Sequence, residues 1–157
     1  LGLDSLGSSG TLFFTSFVTN IINSAFEQSQ ALKVGFNGVM YSVLEDDYLA
    51  LAIKNKKLSI DSLMLYSTVC GCGIDMVPVP GNIFLEEISS LIIDTAALSI
   101  ALQKPLGTRI LPIPGKHANE LTDFNYDFLV DTRVMEIKNQ AITLDNLSSK
   151  IANLGKQ

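Results

Sequence analysis

The pentapeptide Val77-Pro-Val-Pro-Gly81 returns downstream as Leu111-Pro-Ile-Pro-Gly115, and each copy closes an apolar run. Two strands that end in the same turn, with residues 83–103 reading as one long helix between them, make a strand–helix–strand unit. Both Pro-Gly loops then lie at one end of a parallel pair. This predicts an α/β fold and directs attention to that end of the strands for a binding site. Pro78, Pro80, Pro112 and Pro114 stiffen the two loops, and at least one cis bond is expected among them.

A chain of 157 residues, 47% hydrophobic and 17% charged, holds enough apolar material for a single domain with its own core. Its net charge of −5 argues against a nucleic-acid or anionic-membrane partner, because a phosphate footprint needs clustered Lys and Arg. Lys54, Lys56 and Lys57 come nearest to such a cluster and read as a solvated helix end. Two segments, 12–26 and 83–102, are apolar enough to raise a membrane question. Thr15, Ser16, Thr19, Asn20 and Asn23 interrupt the first, and Glu86, Glu87 and Asp94 the second, so both read as helices packed on a sheet. No secretory signal is read, and Cys70 and Cys72, one glycine apart, are too close for an ordinary structural disulfide. A reducing, cytoplasmic setting is expected.

Periodicity orders the remaining elements. A helix over 12–26 follows Ser8-Ser9-Gly10-Thr11, a short strand is expected over 33–40, and a helix over 46–55 opens on Asp46 and Asp47. Leu63-Met-Leu-Tyr-Ser-Thr-Val69 has the length of a central parallel strand leading into Cys70-Gly-Cys-Gly73, with Ser59 or Asp61 capping a turn before it. Asn82 is the expected cap of the long helix and Lys104-Pro105 its stop. One more strand is expected within 128–137 and a terminal helix over 144–154.

Several residues carry chemistry at the strand ends. Cys70 is a candidate nucleophile, and Gly71 and Gly73 permit a tight turn and close approach of a ligand. The alternative for both thiols is that they fill space as small buried groups. His117, the single histidine, is a candidate acid–base group if the loops bring it to Cys70; otherwise it is an exposed loop residue. Asp75, beside the thiols, is a candidate catalytic residue with Cys70 and His117, while Arg109, Lys116 and Glu120 are candidate ligand-binding residues, and Lys104 with Arg109 and Lys116 is suited to an anion. No metal site is read, since two thiols make half a zinc site and the carboxylates lack the spacing of a known cation loop. The glycines match neither the P-loop nor the dinucleotide fingerprint, so no cofactor is named. A small-molecule ligand is the expected partner.

These motifs, in order, resemble a known family. Gly35-Phe-Asn-Gly-Val-Met40, Glu45-Asp46-Asp47, Ser67-Thr-Val-Cys-Gly-Cys-Gly-Ile-Asp75, Val77-Pro-Val-Pro-Gly81, Asp94-Thr-Ala-Ala-Leu98 and Arg109-Ile-Leu-Pro-Ile-Pro-Gly115 are similar to the signature of domain-of-unknown-function family 711, often labelled pyruvate formate-lyase-like. The resemblance covers residues 7–137. It implies part of a pyruvate formate-lyase/ribonucleotide reductase-like α/β barrel with parallel strands and crossover helices, and the chain, residues 1–157, as one domain from the C-terminal part of a longer barrel. It also implies a homo-oligomer, or assembly with the missing N-terminal part. In the barrel enzymes a loop cysteine carries radical chemistry, and Cys70 is its counterpart by resemblance, as nucleophile or hydrogen-atom carrier. The Arg-Val-x-Gly-aromatic motif that houses a glycyl radical is absent from this chain. The alternative is a non-catalytic ligand-binding or assembly subunit.

Overall fold

The computed structural model describes residues 2–32, 34, 35 and 37–138. Four helices and two strands follow one another as α1 (Thr11–Gln28), α2 (Asp47–Lys54), α3 (Ile60–Ser67), β1 (Gly73–Pro80), α4 (Leu85–Leu102) and β2 (Gly107–Ile113), with a 3-10 turn at Val43–Glu45. The strand–helix–strand unit is present as expected. β1 and β2 pair in parallel from Gly73↔Gly107 to Pro80↔Ile113, and α4 makes the crossover. Both Pro-Gly turns lie at the same end of this pair. All described peptide bonds are trans, including those before the four loop prolines, so the expected cis bond is corrected.

Capping explains where the helices begin and end. Asp46 accepts a hydrogen bond from the Leu49 N–H and so holds the start of α2. α4 starts later than expected, with Phe84 rather than Asn82 at the cap, and the Glu87 carboxylate accepts the Phe84 N–H at 2.9 Å. At its other end Gln103 turns into the left-handed region and the Lys104 N–H reaches back to the Ser99 carbonyl.

The segment read as a central strand over 63–69 is instead the C-terminal part of α3 and its cap. Ser59 and Ser62 exchange backbone-to-hydroxyl bonds in a capping box, and Ile60, Leu63, Tyr66 and Ser67 are buried at helical spacing while Leu65 faces outward. The strand therefore begins after the cysteine loop, not before it. The expected strand within 33–40 is irregular at its described residues; Ser42 alone makes a parallel bridge, to Asp75. Within 128–137 there is a single antiparallel bridge, Leu121↔Arg133, and the Met135 N–H donates to the Pro78 carbonyl on the free side of β1. The helix expected over 144–154 lies outside the described residues.

The core gathers around β1. Ile74, Val77 and Val79 meet Val43 and Leu44 of the 3-10 turn, Leu49 and Ile53 of α2, Leu63 of α3, and Met135. Among the described residues no helix is long and apolar enough to cross a membrane.

α1 is oriented against the usual pattern. Thr11, Thr15 and Thr19 are buried, whereas Phe13, Phe17 and Ile21 on the opposite side are 64%, 48% and 52% exposed. Hydroxyls make the inward face compatible with burial: Thr15 bonds the Tyr41 phenol at 2.5 Å, and Thr19 accepts the Val39 N–H at 3.2 Å.

Candidate functional site

Because β1 starts at Gly73, the Cys70–Gly73 loop and the Pro-Gly turns occupy opposite ends of the strand pair. Eight residues of strand separate them, about 23 Å. The single site expected at a shared end of the strands is thereby divided in two, and His117 does not reach Cys70.

At the first end, the glycines serve backbone packing. A side chain on Gly71 would meet the backbone of Gly38, with Gly38 N at 2.8 Å, and the Gly71 N–H is taken by the Val39 carbonyl. Gly73 has φ +102° and stands directly against the backbone of Gly107. This close contact lets the Gly107 N–H donate to the Cys72 carbonyl at 2.7 Å and starts the parallel ladder.

The tight turn wraps around a sulfur. Cys70 is 1% exposed, and its Sγ accepts the Gly73 N–H at 3.3 Å. Both cysteines are free thiols. Donation from Cys72 is the main cause that lowers the Cys70 thiol to about 5, against the opposing effect of burial, with the Gly73 N–H and the Lys104 ammonium helping. The proton stays with Cys72, which the neighbouring Cys70 sulfur and burial push upward. Within the pair the negative charge is therefore favoured on Cys70 and the proton on Cys72.

Cys70 lines a cavity of about 370 Å³ enclosed by Ser16, Thr19, Asn20 and Asn23 of α1, Gly35, Asn37, the 68–71 turn, Lys104 and Pro105. Lys104 Nζ donates to the Ser67 carbonyl at 2.9 Å, and partial burial lowers its basicity. The α1 residues recur at i, i+3, i+4 and i+7, the spacing of one helix face. Their polarity marks the same positions that interrupt the apolar run, so the signal for this wall was present in the sequence.

Asp75 and Arg109 meet on the other side of the loop. The register shifts between Ile74 and Val77, Met76 takes φ +46°, and the resulting bulge sets Asp75 opposite Arg109. The Arg109 guanidinium pairs with both Asp75 carboxylate oxygens, one through Nη2 at 2.9 Å, and with Glu45 at 3.3 Å. Ser42 donates to Glu45 at 2.6 Å. Arg109 is held further in its charged form by Asp75, so this cation is already matched by carboxylates.

Lys116, His117 and Glu120 stand at the Pro-Gly end. The His117 N–H donates to the Glu120 carboxylate at 2.5 Å, and Lys116 pairs with Asp123 at 3.4 Å. His117 and Glu120 are exposed. These contacts order a turn. Among the described residues, no three His, Cys, Asp or Glu side chains converge as a metal site.

The family model described as "Uncharacterised ACR (DUF711)" matches residues 1–139. The chain belongs to this family. A UPF0210 protein of Pyrobaculum islandicum is 32% identical over 123 residues, 78% of this chain and 28% of the relative. One from Acetivibrio thermocellus is 31% identical over 139 residues, 88% of this chain and 30% of the relative, and one from Lactobacillus helveticus 31% over 124 residues. The chain therefore spans less than a third of these DUF711 relatives' length.

Proposed function

We propose that this DUF711 chain is the thiol-bearing segment of a longer α/β barrel of the pyruvate formate-lyase/ribonucleotide reductase kind, and that the barrel is a cytoplasmic small-molecule enzyme using Cys70 as a nucleophile. The observation that carries the chemistry is the setting of the Cys70 sulfur: it accepts the Gly73 N–H at 3.3 Å, lines a polar cavity, and has Cys72 beside it lowering its pKa. In this reading Cys72 is the proton donor beside it. The parallel β1–α4–β2 unit and the outward apolar faces of α1 support a larger barrel and an oligomeric or multi-segment assembly.

Alkylation by iodoacetamide tests the thiolate through its pH profile, not its absolute rate. A lower pKa also lowers intrinsic nucleophilicity, so at neutral pH the gain in thiolate fraction and the loss in reactivity nearly cancel. Measured on protein isolated from its source, Cys70 modification should stay constant from about pH 6 to pH 9. An ordinary thiol climbs about tenfold per unit up to about pH 8.5. A climbing profile, or no reaction, would remove the nucleophile.

A specific observation favours a second reading, a non-catalytic ligand-binding or assembly subunit. Both thiols belong to the buried apolar cluster around β1. On that reading Cys70→Ala leaves assembly mass and ligand retention intact, as native mass spectrometry would register.

A further inference from the structure

Three groups of charged residues were candidates for holding an anionic ligand, and two of them are neutralised by their surroundings. Arg109 is matched by Asp75 and Glu45, and Lys116 by Asp123. Lys104 alone faces the Cys70 cavity, with a backbone carbonyl as its partner. Among the described residues that line the cavity there is no carboxylate and no second cation. The remaining polar wall is neutral, made of hydroxyls and the amides of Asn20, Asn23 and Asn37.

The backbone adds no further anion-binding capacity at the loop. A phosphate cradle needs successive N–H groups pointing outward, as in the glycine-rich loops that hold nucleotides. Here the Cys70 N–H is bound to the Tyr66 carbonyl, the Gly71 N–H to Val39, and the Gly73 N–H to the Cys70 sulfur. The one ammonium, set among amides and hydroxyls and already drawn on by the Cys70 sulfur, favours a ligand that brings the least negative charge, and the cavity volume of about 370 Å³ sits at the low end for small-molecule sites.

We propose that the ligand of this cavity is a small monoanionic carboxylate, its charge bound at Lys104 and its reactive carbon held over Cys70. The inference rests on the nucleophile reading for its second half, while the charge preference stands on Lys104 alone. Because the Cys70 sulfur shares the Lys104 charge, a dianionic phosphate would leave more negative charge unmatched than a carboxylate does.

A pair of reagents of nearly equal size tests it. Iodoacetate and iodoacetamide both alkylate a thiolate by the same displacement: sulfur bonds to the CH2 carbon and iodide departs, with one carrying a carboxylate where the other has a neutral amide. The ratio of their rates at Cys70, each measured on protein from its native source against N-acetylcysteine, should exceed the free-thiol ratio about tenfold. Lys104→Gln should return the ratio to the free-thiol value, and since any change in the reactivity of the sulfur itself acts on both reagents it cancels in the ratio; Lys104→Arg should keep most of the preference. A free-thiol ratio in the unaltered protein, or a ratio untouched by Lys104→Gln, would overturn the assignment.

If neither reagent modifies Cys70, the nucleophile reading fails and the charge preference is decided at equilibrium. Propionate should then raise the melting temperature of the unaltered protein where the same concentration of propionamide does not. Equal shifts would overturn the carboxylate assignment. This comparison needs no variant, so a Lys104 substitution that fails to fold leaves the inference testable.

Discussion

Cys70 and Cys72 lie one glycine apart, and their interaction with each other pushes the two thiols in opposite directions while burial pushes both upward. Cys70 receives hydrogen bonds from Cys72 and from the Gly73 N–H, with a cation beside it; Cys72 faces the charge that results. Removing the donor should therefore raise the Cys70 pKa, since the thiolate loses the contact that lowers it most. Cys72→Ala is expected to move the midpoint of the Cys70 alkylation profile upward from about 5 by at least one unit, and Lys104→Gln by less. An unmoved midpoint would mean that the backbone alone sets it. The sequence directed attention to Cys70 through its glycine-flanked loop, and it grouped His117 with it on the premise that all the loops share one end. That premise depended on a strand over 63–69, and one misplaced strand reversed the direction of the cysteine loop.

At the level of elements, the glycines are the parts with least tolerance. Gly73→Ala places a Cβ against the Gly107 backbone at a φ of +102°, so strain and collision act together. We expect a loss of about 2–4 kcal/mol in denaturant unfolding, against about 1 kcal/mol for alanine at Gly2, where φ is +79° but nothing stands within 4 Å. The β1–α4–β2 unit was legible because each strand announces its end with Pro-x-Pro-Gly-like punctuation. α3 was not, because a seven-residue run with five apolar side chains fits a buried strand and a buried helix equally well. Ser59 with Ser62 was the one local signal for a helix start. The bulge at Asp75 and Met76 left no mark in the sequence, for it arises from pairing across to Arg109.

For the molecule as a whole, the main feature is that α1 turns an apolar side outward. A helix that buries threonines and displays stacked phenylalanines gains little by folding as a free surface. Within a polypeptide of the relatives' length, replacing Phe13 and Phe17 together by Ser should cost several kcal/mol, about 3–5 per fully covered ring, or disrupt the assembly seen by native mass spectrometry. A change within about 0.5 kcal/mol would identify both rings as ordinary surface. The apolar run of α1 was readable from its sequence, but which side faces inward depends on Tyr41 and Val39, and these reach it from a loop without regular structure.

The length of the strand pair has a practical side. Substitutions more than about 10 Å apart that share no partner add independently. The turn bearing Lys116, His117 and Glu120 and the turn bearing Cys70 and Gly73 meet that condition. The Pro-Gly turns are accordingly the place to graft foreign loops or attach probes, and a library built there would vary one end of the molecule while the thiol at the other end kept its setting.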